Sequence, residues 1–131
     1  MAQGKEKLYP MNVLLMSLLH AIGFYGFYSA SLGNWTRETI ISCGAWFFVS
    51  GLGITVGYHR FFTHRSFTCG KWTQMNMLIS ATTALQNTAK VWVSGHVLHH
   101  QKTDKEGDPY NATRGFWWSH IGWIFLKDPD R

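Results

Sequence analysis

Residues 10–59 read PMNVLLMSLLHAIGFYGFYSASLGNWTRETIISCGAWFFVSGLGITVGYH, and this stretch decides the fold. Asp, Glu, Lys and Arg are absent from residues 8–36 and again from residues 39–59. Each run has the ~20 residues that a helix needs to cross a bilayer. The sequence therefore predicts an all-α membrane protein with two transmembrane helices, over about residues 10–32 and 38–58.

Composition supports a membrane environment. Only 15% of the residues are charged, whereas soluble domains have about 25%. The net charge of +5 borders apolar segments instead of forming the lysine-rich soluble face that nucleic-acid binding requires. We therefore expect membrane lipid and no nucleic acid among the partners.

The distribution of basic residues predicts the orientation. The short connection between the two runs contains Arg37 as its basic residue, and the outer ends are flanked by Lys5, Lys7, Arg60, Arg65 and Lys71. By the positive-inside rule, the N-terminus and residues 60–71 are cytoplasmic.

The remaining segments predict shorter helices around these spans. Gly44, Gly51, Gly53 and Gly57 have near-helical spacing and would allow another helix to pack closely. Residues 71–90 are too polar to face lipid on all sides, so we expect a helix that is buried or interfacial. Residues 101–114 are predicted to be a polar loop. Residues 115–126 are too short to span and are predicted to be an interfacial helix or the entry to another span.

Five of the seven histidines fall in two tight groups. Box one is His59–His64 and box two is His96–His100. On a helix, offsets of three and four residues share one face, so box two directs three imidazoles toward one point. The offset of five in box one separates its rings on a straight helix, and they converge only if the span ends or bends near Arg60.

This pattern favours a metal site. An isolated histidine such as His20 is readily satisfied by lipid headgroups and water, but a polar cluster at membrane depth is expensive and usually functional. Imidazole suits zinc, copper, nickel and iron, and five histidines exceed an ordinary zinc site. Soluble di-iron bundles use Glu, yet no acidic residue lies between Glu38 and Asp104. An all-imidazole, multi-metal site remains.

Three stretches resemble the membrane-bound, stearoyl-type (delta-9) acyl-CoA desaturases. They are GITVGYHRFFTHRSF (53–67), QNTAKVWVSGHVLHHQKTDKEGDPYN (86–111) and GFWWSHIGWIF (115–125). The resemblance covers roughly residues 12–127. It implies that residues 1–131 form a truncated desaturase domain, the N-terminal half of a four-span architecture.

The resemblance also implies the roles of individual residues. Two irons would be ligated by His59, His64, His96, His99 and His100, with no catalytic residue beyond these ligands. Asn87 and Trp92 would lie near the thioester end of the substrate or the second metal. Trp123 and Lys127 would approach the acyl chain or the nucleotide end of CoA. For both tryptophans the alternative is anchoring at the membrane interface.

The family reaction uses dioxygen to introduce a cis double bond into a saturated fatty acyl chain. The implied partners are an acyl-CoA substrate and an external electron donor, either a b-type cytochrome or a ferredoxin. The implied location is the endoplasmic reticulum or the bacterial inner membrane, with both His boxes on the cytoplasmic side.

Departures from the family pattern leave alternatives open. Gly95 replaces an Asp, Val97 replaces a basic residue, and the third His box is absent before Arg131. The di-iron centre is therefore expected to be incomplete and activity to require a missing second half, while the isolated chain is expected to be unstable or to show self-association. The alternatives are a lipid or alkane hydroxylase with similar boxes, or a non-catalytic truncated membrane protein. The flank GDPYN…GFWWSHIGW favours the desaturase.

Overall fold

The computed structural model describes residues 7–127, and this part of the chain is predominantly helical. Its elements are β1 (Lys7–Leu8), α1 (Pro10–Ser31), α2 (Arg37–Leu52), α3 (Lys71–Thr82), α4 (Ala89–Lys102), a 3₁₀-helix (Ala112–Arg114), a short π-helix (Trp118–Gly122), α5 (Trp123–Phe125) and β2 (Leu126–Lys127). A π-helical segment, Gly53–Thr63, continues α2 directly and is called the π-segment below. The predicted all-α membrane class is confirmed, with one addition: β1 and β2 form a two-residue antiparallel pair that the sequence did not predict.

Two helices are long and apolar enough to cross a membrane, Pro10–Ser31 and Arg37–Thr63. At 1.5 Å per residue, the α-helix Pro10–Ser31 is about 33 Å long and the α-helical part of the second, Arg37–Leu52, is about 24 Å long. Pro10 occupies the first turn of α1, where a missing N–H costs little. The Thr36 side chain caps α2 by accepting a hydrogen bond from the Thr39 N–H at 3.3 Å. No residue of α1 is buried, so its apolar surface is available for lipid.

The chain forms two compact units, one of which consists of residues 36–100. In this unit, α3 packs against the π-segment at two glycines. A Cβ atom added at Gly53 would lie 2.3 Å from the Ala81 nitrogen, and one added at Gly57 would lie 3.0 Å from the Met77 Cβ. Glycine at these positions therefore permits contact between helix backbones, as expected from the sequence.

The other glycines of the predicted set do not contribute to this contact. An added Cβ at Gly44 or Gly51 would meet nothing within 4 Å.

The centre of the unit consists of Tyr58 and Ala81, both fully buried, and Met77, which is 8% exposed. Helix α3 is thus buried along one side, at Met77 and Ala81, while its Trp72 is 79% exposed; an interfacial position of this helix remains a prediction.

The second unit contains the described residues up to Trp35 and from Gln101 onward. The Asn12 side-chain amide donates to the Ile124 carbonyl at 2.7 Å, which joins α1 to α5. The polar loop after α4 is ordered by its own side chains. The buried Asp108 accepts hydrogen bonds from the backbone N–H groups of Asp104, at 2.8 Å, and Tyr110, at 3.0 Å.

Candidate metal centre

The rings of box one converge because the helix is wound with a π-helical pitch. The His64 N–H donates to the His59 carbonyl at 3.0 Å, which is a hydrogen bond between residues i and i+5. Five residues of an α-helix would turn the rings about 140° apart, but they complete roughly one turn of a π-helix. The two Nε2 atoms therefore lie 3.1 Å apart.

This geometry corrects one expectation. Convergence was predicted to require that the span end or bend near Arg60, but the helix continues to Thr63. The wider turn of the π-helix brings the His59 and His64 rings together, as an end or bend of the helix near Arg60 would have done. Short π-helical bulges inside α-helices are frequent at functional sites, and here the π-segment begins at Gly53, where α3 contacts the backbone.

Box two lies on α4, where its outer histidines are four residues apart. The Nε2 atoms of His96 and His100 are 3.0 Å apart, as expected for neighbours on one helical face. His99 lies beside this pair, with ring centroids 6.0 Å from His96 and 5.6 Å from His100. It is not among the residues whose ligand atoms cluster, so its predicted role as a ligand remains a prediction.

The two boxes meet in one group, which we call the four-histidine group: His59, His64, His96 and His100. One ring nitrogen from each lies within 4.8 Å of all the others. His59 and His96 are half-buried, whereas His64 and His100 are exposed. Across residues 7–127, no second cluster of this kind is present among His, Cys, Asp and Glu side chains.

The local environment keeps His96 neutral. Desolvation by burial, and secondarily the nearby imidazoles of His100, His59, His64 and His99, lower the pKa of His96 to about 4. A histidine ligates a metal only through a deprotonated ring nitrogen. His96 is therefore in the state that metal binding requires at neutral pH.

The arrangement fits one metal ion. Metal–imidazole bonds are about 2.0–2.1 Å long, so two nitrogens on the same ion are at most about 4.2 Å apart. The pairs at 3.1 and 3.0 Å satisfy this limit, and the widest separation of 4.8 Å requires only a small closing movement. An all-imidazole set suits zinc, copper, nickel or iron, so the ligands by themselves do not select the metal.

Of the predicted substrate residues, Trp92 lies beside the four-histidine group. Its ring centroid is 4.7 Å from that of His96 and 6.4 Å from that of His59. Asn87 is linked to the same region because its backbone carbonyl accepts a hydrogen bond from the Tyr58 hydroxyl at 3.3 Å. The roles of both residues toward a substrate remain predictions.

Trp123 and Lys127 belong to the other compact unit. The Trp123 ring packs edge-on against Tyr110 at 4.6 Å, and Lys127 pairs with Lys7 in the short sheet. These contacts give both residues structural roles, and their predicted contacts with the acyl chain or CoA remain predictions.

Sequence reasoning missed two residues beside the metal centre. The Gln86 side chain accepts a hydrogen bond from the Trp92 indole N–H at 2.9 Å, and the buried Tyr58 ring lies 5.9 Å from Trp92. Tyr58 could have been noticed because it directly precedes His59. Gln86 offered no signal, because its contact crosses a turn and follows no helical spacing.

Several curated proteins are similar to this chain. It is 39% identical over 127 residues to a (11Z)-hexadec-11-enoyl-CoA conjugase of Bombyx mori, with 94% of this chain and 37% of that protein covered. It is 35% identical over 125 residues to an sn-1 stearoyl-lipid 9-desaturase of Anabaena variabilis, with 95% and 45% covered. It is 40% identical over 121 residues to an acyl-CoA Delta-9 desaturase of Acheta domesticus, with 91% and 33% covered.

The chain spans less than half the length of each of these relatives. No protein-family model matches it.

Proposed function

The chain belongs to the family of membrane-bound acyl-CoA desaturases, and from this premise we propose that it supplies part of the metal centre of an enzyme that introduces a cis double bond into a saturated fatty acyl chain. The observation that carries the proposal is the four-histidine group, in which two sequence-distant boxes bring ring nitrogens within 4.8 Å of one another.

We propose iron as the metal and two ions as the full complement. The four-histidine group would hold one iron, and His99, whose ring is 5.6 Å from that of His100, would be a ligand of the second. When bound, the irons supply the dioxygen-dependent oxidation of unactivated C–H bonds, for which no side chain is sufficient. The described residues contain one such group, and we propose that the remaining ligands come from a longer form of the protein or from a partner chain.

The residues around the group prepare the site for metal and substrate. The half-buried His96 is kept neutral and so presents a lone pair. The Trp92 indole covers one side of the His96 ring at 4.7 Å, which limits water there and offers an apolar wall to an acyl chain. Asn87 is proposed to lie near the thioester end or the second metal, and Trp123 and Lys127 to approach the acyl chain or the nucleotide end of CoA.

The site is proposed to face the cytoplasm. Arg60, Arg65 and Lys71 follow the second span, whereas the connection between the spans carries Arg37, and basic residues favour the cytoplasmic side. Lys7, which lies in β1 just before α1, agrees with this orientation, and Lys5 lies outside the described residues. An external electron donor, a b-type cytochrome or a ferredoxin, would then reach the centre from the cytoplasm.

The carrier of the acyl chain is proposed to be CoA. Relatives are named for both acyl-CoA and lipid-linked substrates, so an experiment must separate the two. Microsomal or membrane fractions containing the chain and a complementary C-terminal half of a related desaturase would be supplied with labelled stearoyl-CoA or with labelled stearoyl-lipid, together with an electron donor. We expect a cis-monounsaturated product from stearoyl-CoA.

Other products would indicate a different carrier of the acyl chain or a different reaction. Unsaturation of the lipid-linked chain alone would replace CoA as the carrier, and a hydroxylated acyl chain would indicate a hydroxylase. A matched His100→Ala variant should abolish the product. If the paired chains bind metal but leave both substrates unchanged, the proposed activity is wrong.

A further inference from the structure

A strained turn connects α3 to α4 beside the four-histidine group. Leu85 has φ 56° and Asn87 has φ 73°, so two residues other than glycine adopt the left-handed conformation on either side of Gln86. Such backbone is uncommon, especially for a bulky residue such as leucine. Residues 85–87 are called the clasp turn below.

One contact of the clasp turn reaches box two. The Gln86 Oε1 accepts the hydrogen bond of the Trp92 indole N–H at 2.9 Å. Trp92 lies four residues before His96, on the same face of α4, and its ring is tilted only 32° from that of His96, with centroids 4.7 Å apart. Fixing the indole therefore restricts the rotation of the His96 imidazole.

A second contact reaches box one. The Asn87 carbonyl accepts a hydrogen bond from the Tyr58 hydroxyl at 3.3 Å. Tyr58 is fully buried and directly precedes His59 in the π-segment. The Tyr58 and Trp92 rings are 5.9 Å apart, so the two contacts meet at one small aromatic pair.

We propose that the clasp turn, with Gln86 as its positioning residue, fixes the position of box one relative to box two. It thereby sets the metal affinity of the four-histidine group. This inference rests on the metal centre of the proposed function. Residues around metal ligands fix ring orientation, and their loss typically costs about 10–100-fold in metal affinity. Position 95, directly before His96, is a glycine and has no side chain that could orient the ring. The hydrogen bond between Gln86 and Trp92 instead restrains the orientation of the His96 ring.

The test uses the full chain in detergent and Co²⁺ as the metal, because its absorption spectrum reports ligand geometry. Gln86→Leu removes the acceptor at similar size, and Gln86→Glu retains an acceptor oxygen. Gln74→Leu is the matched control, since it removes an amide in the same unit that donates to the Cys69 carbonyl at 3.0 Å. Hydrogen exchange of the Trp92 indole N–H in metal-free protein reports whether the contact exists.

We expect Gln86→Leu to weaken Co²⁺ binding about tenfold or more, to alter the Co²⁺ spectrum and to speed exchange of the indole N–H. Gln86→Glu should restore all three readouts, and Gln74→Leu should change none of them. If the parent chain binds Co²⁺ and Gln86→Leu binds it equally well, this inference is wrong while the metal centre stands. If the parent chain binds no Co²⁺, the metal centre of the proposed function is overturned and the inference falls with it.

Discussion

The Nε2 atom of His64 lies 3.1 Å from the Nε2 atom of His59, although the two residues are five positions apart along a continuous helix. The hydrogen bond from the His64 N–H to the His59 carbonyl shows that the pitch of the helix produces this proximity. Box one therefore presents a pair of ligands on one face, which complements the pair that box two presents from α4. The metal centre depends on an irregularity of the transmembrane helix as much as on the histidines themselves.

The ligands of the first ion should be separable from His99 by mutation. His59→Ala and His100→Ala each remove a member of the four-histidine group and should weaken the binding of one iron per chain, so that less iron is found by metal analysis of purified protein. His99→Ala should leave this first ion in place. His20→Ala is the control, because its ring bonds the Met16 carbonyl within α1; metal loss in that variant would contradict the assignment.

The close approach at Gly53 should stabilise its unit. Gly53→Ala places a Cβ 2.3 Å from the Ala81 backbone nitrogen, so the helices must separate, and overpacking of this kind typically costs about 1–3 kcal/mol. The melting temperature in detergent should fall accordingly. Gly51→Ala, which meets nothing within 4 Å, should be neutral or stabilising by up to about 1 kcal/mol. Equal melting temperatures for the two variants would refute the contact.

His96 should titrate at unusually low pH. Its pKa is lowered to about 4 by desolvation, with a smaller contribution from neighbouring imidazoles, so its NMR titration in metal-free protein should have a midpoint well below the usual value of about 6.5. Because the pKa in the folded state is depressed, the neutral form is favoured by folding. The associated stability is complete above about pH 6.5 and is lost as the pH falls toward 4. A midpoint near 6.5 would show that the ring is not desolvated.

The orientation of the chain in the membrane can be tested by labelling introduced cysteines in intact cells. In a background with Cys43 and Cys69 changed to serine, Asn34→Cys lies between the two spanning helices and Thr103→Cys lies just after α4. An impermeant maleimide should label position 34 from outside, and position 103 only after permeabilisation. The opposite pattern would place the four-histidine group on the outer side of the membrane and remove the proposed route for electrons.

Long charge-free runs predicted the spanning helices well, because few residue types tolerate lipid contact along an entire helix. The first span was expected at about residues 10–32 and is Pro10–Ser31; the second was expected to end near Tyr58 but continues to Thr63. The extension is π-helical, and no sequence period distinguishes it, since the pitch depends on how the helix packs against α3. The clustering of His96 with His100 followed from their spacing alone, whereas their approach to His59 and His64 required the tertiary fold.

Contacts across turns could not be predicted from the sequence, for a related reason. The bond between Gln86 and Trp92 depends on the left-handed conformations of Leu85 and Asn87, and neither residue is a glycine that would have predicted them. Similarly, the sequence offered four glycines at near-helical spacing in the second span, and the position of α3 determines that Gly53 and Gly57 are the ones in contact.

The central claim is that His59, His64, His96 and His100 together hold one metal ion. X-ray absorption at the iron K-edge, on the full chain loaded with one equivalent of Fe²⁺, measures the number of imidazoles bound to that ion. The account predicts four imidazole nitrogens at about 2.1 Å, the length of a metal–imidazole bond, and a loss of one in His100→Ala. A spectrum with one or two imidazoles and mostly water oxygens, unchanged in His100→Ala, would contradict it.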